Sequence, residues 1–144
     1  MPKLLIQIVD DEVNVARTLQ MVLEREAYEV TCANSARAAL RQYRDGLRPD
    51  AAIIDLNMEE EDIGLRVAEA AQKLKPRPVV IICTGYANVE NIQTALNLRV
   101  DYLATKPVDL DELKGALNRL FERRSREAKV KIKRTRTKIK RAGV

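Results

Sequence analysis

The stretch Ala51-Ala-Ile-Ile-Asp-Leu-Asn57 decides the fold. Four apolar residues run directly into a single aspartate, and such a run is too short to span a membrane and too continuous for a half-exposed strand. It is typical of a strand that is buried on both faces of a parallel sheet. Asp55 then stands at the carboxyl end of that strand, where open α/β sheets place their ligand sites. From this stretch alone, Asp55 is either an inert residue after a core strand or the reactive group of the protein.

The composition indicates one domain with an aliphatic core. The chain has 144 residues, of which 46% are apolar and only 3% aromatic. A chain of this length can bury an adequate core without cross-links. No apolar run reaches the roughly eighteen residues of a membrane span, and acidic residues begin at Asp10, too early for a signal peptide. We therefore expect a cytoplasmic protein with no membrane span.

The residue types restrict the chemistry. The chain contains no histidine, which excludes the usual zinc sites and any histidine-dependent catalytic triad. Cys32 and Cys83 each lie in an apolar, strand-like run with no second cysteine nearby. We expect both to serve as small buried hydrophobic residues.

The charge is divided unevenly along the chain. From Arg123 onward there are eleven basic residues and one acid, Glu127, whereas the first 122 residues contain fifteen basic and twenty acidic side chains. An acidic body therefore carries a basic tail, and the two parts need separate explanations.

Five strand-like runs alternate with five segments of helical periodicity. This alternation predicts βαβ units with right-handed crossovers and a parallel sheet. Side chains that can cap a helix precede two of the helical segments, at Asp11 and Ser35, and the fifth helical segment starts at Asp109.

Polar residues follow four of the strands: Asp10-Asp11, Asp55, Thr84-Gly85 and Lys106-Pro107. The carboxyl ends of parallel strands share one sheet edge, so these residues should converge. Three clustered carboxylates repel one another, and Mg²⁺ would relieve that repulsion. One carboxylate is then available as a nucleophile toward phosphorus, with Thr84 and Lys106 stabilising the phosphoryl oxygens. Gly85 leaves space for an incoming group, and a cis bond before Pro107 would suit a turn that holds the lysine inward.

These segments resemble the receiver domain of bacterial two-component response regulators, in its single-domain, chemotaxis-regulator-like form. The resemblance covers about residues 3–122 and rests on Ile8-Val-Asp-Asp-Glu12, Ile54-Asp-Leu-Asn-Met58, Thr84-Gly85 and Lys106-Pro-Val-Asp109. It implies an α/β, flavodoxin-like, doubly wound sheet of five parallel strands in the order 2-1-3-4-5, with five helices. It also divides the chain into a receiver domain, residues 1–122, and a basic C-terminal tail, residues 123–144. The strand order would hold Cys32 and Cys83 about 14 Å apart, too far for a disulfide.

The resemblance further implies what each residue does. Asp55 would accept a phosphoryl group from a sensor histidine kinase or a phosphotransfer protein. The residues that would hold Mg²⁺ are Asp10 (through water), Asp11, Asp55 and Asn57 (through its backbone carbonyl). The residues around the phosphoryl group would be Thr84, Gly85, Lys106 and Pro107. The protein would be a stand-alone response regulator that changes conformation to bind or release a partner. It would not be an enzyme, apart from autodephosphorylation.

Two features depart from the family's pattern. The loop Met58-Glu-Glu-Glu-Asp-Ile-Gly64 lacks the usual proline, is one residue longer and is strongly acidic. It is either a solvated loop without a special role or one that alters metal affinity. The family's aromatic switch residue belongs three positions before Lys106, at Leu103, but the tyrosine is Tyr102. Either the strand is bulged there, or the protein signals without the usual rotation of an aromatic ring.

The sequence leaves the output open. The resemblance allows a homodimer through the fourth helix, the fifth strand and the fifth helix. The tail is predicted to be solvated and partly disordered, with helix near its start. As an alternative, it is an arm for an anionic partner such as nucleic acid, a membrane surface or an acidic protein, or it contacts the acidic body. In that alternative the receiver-like body is a scaffold and phosphorylation is incidental.

Overall fold

The computed structural model describes residues 2–86 and 88–142. Gly143 and Val144, the end of the predicted tail, lie outside the described residues. The strands are β1 (Leu5–Val9), β2 (Glu29–Ala33), β3 (Ala51–Asp55), β4 (Val79–Thr84) and β5 (Tyr102–Thr105). The helices are α1 (Val13–Arg25), α2 (Ala36–Arg44), α3 (Gly64–Gln72), α4 (Val89–Asn97) and α5 (Leu110–Arg141).

The strands form one parallel sheet in the order β2-β1-β3-β4-β5, which confirms the predicted fold class and topology. Strand β3 is central and pairs with β1 on one side and β4 on the other. Every residue of β3 and β4 is buried, because helices cover both faces of the sheet. The carboxyl ends of β1, β3 and β4 therefore lie side by side.

Two apolar layers hold the helices against the sheet. Helices α1 and α5 cover one face, where Ile53 of β3 is buried. Helices α2 and α3 cover the other face, where the next residue, Ile54, is buried. Successive side chains of a strand point to opposite faces. A shift of β3 by one residue would turn each side chain to the other layer. The need to bury Ile53 and Ile54 on opposite faces therefore sets the register of β3.

The structure confirms the predicted cap at Ser35 and the predicted start of the fifth helix at Asp109. Ser35 accepts a hydrogen bond from the Ala38 amide at 3.0 Å, and Asp109 accepts one from the Glu112 amide at 3.1 Å. The predicted cap at Asp11 is wrong. Helix α1 begins after Glu12, whose side chain makes no capping hydrogen bond. The backbone amide of Glu12 donates to Asp10 Oδ1 at 2.9 Å. The Asp11 carboxylate is therefore free of a capping role and lies near Asp10 and Asp55.

Helix α5 continues far beyond the rest of the fold. It has 32 residues, and those after Arg124 are exposed as far as the structure describes them. The sequence predicts helix only near the start of the tail, but the helix runs without interruption to Arg141. Arginine, lysine, glutamate and alanine all favour helix, and no proline follows Pro107. In the described part of the chain, neither α5 nor a shorter helix is long and apolar enough to cross a membrane.

The two cysteines are free thiols on separate strands. Cys83 is buried in β4 as expected, and burial raises the pKa of its thiol to about 12. Cys32 in β2 is only half-buried, so the expectation of full burial is met at one of the two positions.

Gly64, the first residue of α3, lies directly against the end of β3. A Cβ atom at this position would stand 2.2 Å from the carbonyl oxygen of Asp55 and 2.8 Å from the Cα atom of Leu56. The Gly64 amide also donates to the Leu56 carbonyl at 2.9 Å. Helix α3 can begin this close to Asp55 only because no side chain intervenes.

The substitution Gly64→Ala should lower the free energy of unfolding by about 1–3 kcal/mol, since the added methyl group displaces backbone atoms. Urea unfolding followed by circular dichroism measures this. Gly115→Ala in α5 is the matched control, because the contact that its methyl group would make within the described part of the chain is with the flexible end of Arg119, at 3.2 Å. The control should leave stability unchanged or raise it by up to about 1 kcal/mol, as alanine favours helix. Equal losses in both variants would contradict the role of Gly64.

Candidate functional site

Three carboxylates meet at the carboxyl ends of β1 and β3. Asp10, Asp11 and Asp55 each offer an oxygen, and these oxygens lie within 4.8 Å of one another. Asp10 and Asp55 are only 6% and 5% exposed, whereas Asp11 faces solvent. Like charges this close destabilise each other, and burial adds to the cost of ionisation. The arrangement therefore needs a neighbouring positive charge.

Lys106, directly after β5, supplies that charge. Its Nζ atom lies 3.2 Å from Asp55 Oδ2 and 3.6 Å from Asp10 Oδ2. The Lys106 amide donates to the Thr84 carbonyl at 2.7 Å, and the Lys106–Pro107 bond is cis. Burial lowers the pKa of the Lys106 ammonium, but Asp55 and Asp10 outweigh it and the net shift is upward. Lys106 therefore remains charged beside both carboxylates.

The Asp55 carboxyl is held in a mixed environment. Burial raises its pKa, Lys106 opposes that shift, and Asp10 adds to it, so that the net direction is upward. The Asn57 amide donates to Asp55 Oδ1 at 3.3 Å and also favours the ionised form. The two oxygens of Asp55 are thus oriented from opposite sides, by Lys106 and by the backbone of Asn57.

The Thr84 hydroxyl engages the loop that follows β4. It donates to the Tyr86 carbonyl at 3.0 Å and accepts from the Tyr86 amide at 3.2 Å. Among the residues that the structure describes, a Cβ atom at Gly85 would approach the Cβ atom of Lys106, at 3.9 Å, which is an ordinary van der Waals contact and leaves space beside Thr84. The structure therefore places Thr84, Gly85 and Lys106 at the edge that carries Asp55, with the hydroxyl turned to the loop.

The acidic loop after Asp55 is anchored at two points. Asn57 Oδ1 accepts the Asp62 amide at 2.7 Å, and Glu59 Oε1 accepts the amide of Ala36, the first residue of α2, at 3.0 Å. A carboxylate at a helix N-terminus is stabilising. The loop is thus more than a solvated segment, although Glu60 and Glu61 are exposed.

Glu59 and Gly64 are site-supporting residues that sequence reasoning missed. Each acts through a contact with another part of the chain, and no local sequence pattern predicts such a contact. The one available signal was the departure of this loop from the family's length.

Strand β5 is regular at the offset tyrosine. Tyr102–Thr105 pairs residue by residue with Ile81–Thr84, which excludes the suggested bulge. Tyr102 packs in the layer of α1 and α5, whereas Leu103 packs in the layer of α2 and α3. The position predicted for the switch is therefore occupied by Leu103, and the tyrosine ring lies on the opposite face of the sheet.

The donor set fits a hard divalent cation. Mg²⁺ prefers oxygen ligands, and Asp10, Asp11 and Asp55 supply three carboxylates at one solvent-accessible point. These residues would hold the ion, and it would neutralise charge on a phosphoryl group bound there.

The sequence is similar to those of known regulatory proteins. A family model for the response regulator receiver domain matches residues 6–118. The chain is 35% identical over 126 residues to the regulatory protein AtoC of Escherichia coli K12, and 36% identical over 115 residues to the transcriptional regulatory protein ZraR of the same strain. These matches cover 88% and 79% of this chain but only 27% and 25% of the two relatives. The chain thus spans about a quarter of the length of these relatives.

A solved structure has the same fold. The CheY-like response regulator receiver domain protein from Methanospirillum hungatei JF-1 superposes with a TM-score of 0.81 and 29% sequence identity. The match covers 88% of this chain and 99% of that one.

We expect Mg²⁺ to raise the melting temperature. A cation that binds the folded protein but not the unfolded chain stabilises the fold, and here it also relieves repulsion among the carboxylates. Asp11→Asn removes an exposed ligand without altering the core and should abolish most of the rise. Calorimetry with and without millimolar MgCl₂ measures the effect. Asp111→Asn, an exposed change in the first turn of α5, is the control and should keep the full response. Equal responses in the two variants would exclude Asp11 as a ligand.

Proposed function

This chain belongs to the response regulator receiver domain family, and from its site we propose that it accepts a phosphoryl group on Asp55 in a Mg²⁺-dependent reaction. The main support is the position of Asp55 at the end of the central strand, with Lys106 Nζ at 3.2 Å and two further carboxylates alongside. The donor would be a sensor histidine kinase or a phosphotransfer protein. Such a chain is regulatory, and its only chemistry besides acceptance would be autodephosphorylation.

The reaction would be a nucleophilic displacement at phosphorus. An Asp55 oxygen forms a bond to phosphorus while the bond from phosphorus to the donor's histidine nitrogen breaks, and the electron pair leaves with the imidazole. Asp10 and Asp11 would hold Mg²⁺, together with Asp55 and the carbonyl of Asn57. Lys106 would then pair with a phosphoryl oxygen in place of the Asp55 charge that it contacts at present.

Phosphorylation would be transmitted through Thr84. If its hydroxyl donates to a phosphoryl oxygen, it can no longer donate to the Tyr86 carbonyl, a bond of 3.0 Å in this structure. The loop between β4 and α4 would then lose an anchor. Leu103 rather than an aromatic ring would repack behind Thr84, because Tyr102 lies on the other face of β5.

The output surface would include α4, β5 and α5. Helix α4 exposes two large apolar side chains to solvent, Val89 (82%) and Leu96 (68%). Their exposure favours docking on this surface, either of a second copy or of another protein. We retain residues 1–122 as the receiver and 123–144 as a separate basic segment. A cytoplasmic location stays a prediction from the sequence.

A second candidate function is binding of an anionic partner by the basic segment, with phosphorylation incidental. The observation in its favour is that the segment forms an exposed helix that carries eleven basic residues.

Incubation with acetyl phosphate and Mg²⁺ should add the mass of one phosphoryl group to the intact protein. Asp55→Asn should abolish the addition, because the amide is not a nucleophile toward phosphorus. Asp62→Asn, in the same loop, is the control and should still be labelled. Intact mass spectrometry reads the result, and unchanged labelling of the Asp55 variant would refute the assignment.

Addition of beryllofluoride and Mg²⁺ should shift the protein from monomer to dimer in size-exclusion chromatography with light scattering. The replacement Leu96→Arg should block the shift, since it puts a charge into the apolar surface of α4. Lys73→Arg, an exposed change just after α3, should leave the shift intact. A wild-type protein whose mass does not change would exclude phosphorylation-controlled dimerisation and leave partner docking as the output.

A further inference from the structure

Residues 123–142, here called the basic arm, form an exposed helix with unbalanced charge. Among the residues that the structure describes, the arm contains one salt bridge, between Arg123 and Glu127 at 3.2 Å. Further along, Lys129 and Lys133, and likewise Arg134 and Lys138, stand one helical turn apart with the same charge. Like charges at this spacing destabilise a helix, so an anionic surface would stabilise the arm.

The basic side chains surround most of the helix. At 3.6 residues per turn, they occupy about two thirds of its circumference. The remaining stripe is uncharged and consists of Ser125, Ala128, Ile132, Thr135, Ile139 and Ala142. Only its two isoleucines are large and apolar, and both are more than half exposed.

An arginine-lined cavity lies where the arm leaves the body. It has a volume of about 400 Å³, and its walls include Arg77, Arg99, Arg123 and Arg124. The Arg77 guanidinium donates to the Arg99 carbonyl at 2.8 Å. Burial lowers the pKa of Arg124; Asp101 opposes this shift and Arg77 adds to it.

The two acids in the wall of this cavity are already engaged. Asp101 Oδ2 accepts the Val80 amide at 2.8 Å, and Glu127 pairs with Arg123. Four arginines against two acids leave net positive charge, so the cavity suits an oxyanion such as a phosphate group.

The cavity lies at the amino ends of the strands, whereas Asp55 lies at their carboxyl ends. Val79, in the cavity wall, begins β4, and Thr84 ends it. At roughly 3.3 Å per residue, the two edges are about 17 Å apart along this strand. An anion bound at the cavity would not touch the phosphoryl site.

The charge pattern argues against three kinds of occupant. A second copy of the arm is disfavoured, because Lys129, Lys131, Arg136 and Lys138 flank the uncharged stripe on both sides and would face like charges. An acidic partner helix is also disfavoured. The uncharged stripe of the arm covers fewer than three heptads and has only two large apolar residues, which is too little for a stable coiled coil. A membrane would gain little from two isoleucines without an aromatic anchor.

A nucleic-acid duplex matches the remaining features. The arm is about 30 Å long at 1.5 Å per residue, and its diameter fits the major groove of about 12 Å. Phosphates line a duplex at one per about 1.7 Å, dense enough to meet basic residues on several sides of the helix. The chain has no aromatic residue after Phe121, which disfavours single strands that bind by base stacking.

We propose that the basic arm and the arginine-lined cavity together bind the phosphate backbone of a double-stranded nucleic acid, independently of phosphorylation. The proposal deepens the second candidate function above and does not rest on the chemistry of Asp55. The receiver would thereby be held on nucleic acid whether or not it is phosphorylated.

Fluorescence anisotropy with the 144-residue chain and a labelled DNA duplex of mixed sequence tests the proposal. For about six phosphate contacts, affinity should fall about 10³-fold between 50 and 200 mM salt. Replacing Lys131, Arg134 and Lys138 by glutamine removes three charges from one face of the helix and should weaken binding about 10²-fold at 0.1 M salt. Circular dichroism should show that the variant keeps its helix.

Matched variants separate the alternatives. The double variant Ile132→Ala with Ile139→Ala should bind the duplex as the wild type does. Asp55→Asn should also bind normally, because it removes the proposed phosphoryl acceptor and leaves the basic arm and the cavity unchanged. Arg77→Gln with Arg124→Gln should weaken binding about tenfold, and an unchanged affinity would exclude the cavity from the site. The proposal is overturned if the wild type shows no salt-dependent duplex binding. It is also overturned if vesicles of anionic phospholipid bind more tightly than DNA and the isoleucine variant loses that binding.

Discussion

Burial of two carboxylates at one edge of the sheet is the constraint on which the site depends. Asp10 and Asp55 are almost fully shielded from water, and unpaired charges in that position cost several kcal/mol each. The Lys106 ammonium offsets part of this cost through contacts of 3.6 and 3.2 Å. These contacts require the ends of β1, β3 and β5 to face a common point, which the strand order 2-1-3-4-5 provides. The exposed Asp11 then completes a donor set suited to Mg²⁺.

The surroundings of this cluster are close-packed on one side and adaptable on the other. Gly64 and Glu59 fix the segment after Asp55, one by backbone contact with β3 and the other by a hydrogen bond to α2. Thr84, in contrast, is bound to the loop before α4, through bonds that a rotation of its side chain would break. In the function proposed above, this asymmetry would direct a change at Asp55 toward α4 rather than toward α3. With Leu103 behind Thr84, that change would proceed by aliphatic repacking.

The two charged regions of the chain are kept apart by the length of the sheet. Acidic groups collect where the strands end, and basic groups collect where β4 and β5 begin and along the outer part of α5. Interactions between exposed charges at this separation are screened at physiological ionic strength, where the Debye length is about 8 Å. The proposed chemistry at Asp55 and the proposed binding by the basic arm would therefore operate independently of each other.

The sequence by itself determined the fold and most of the site. Hydrophobic periodicity marks the strands, Ser35 and Asp109 mark two helix starts, and the polar residues after four strands predict the cluster around Asp55. These signals are readable because each depends on neighbours in the chain. Tertiary structure alone decided that Glu59 holds α2, that Gly64 touches β3, that Asp11 does not cap α1 and that Tyr102 and Leu103 occupy opposite layers of a regular strand. The contacts of Glu59 and Gly64 join separate elements of the chain, and their geometry arises only when helices and sheet pack together.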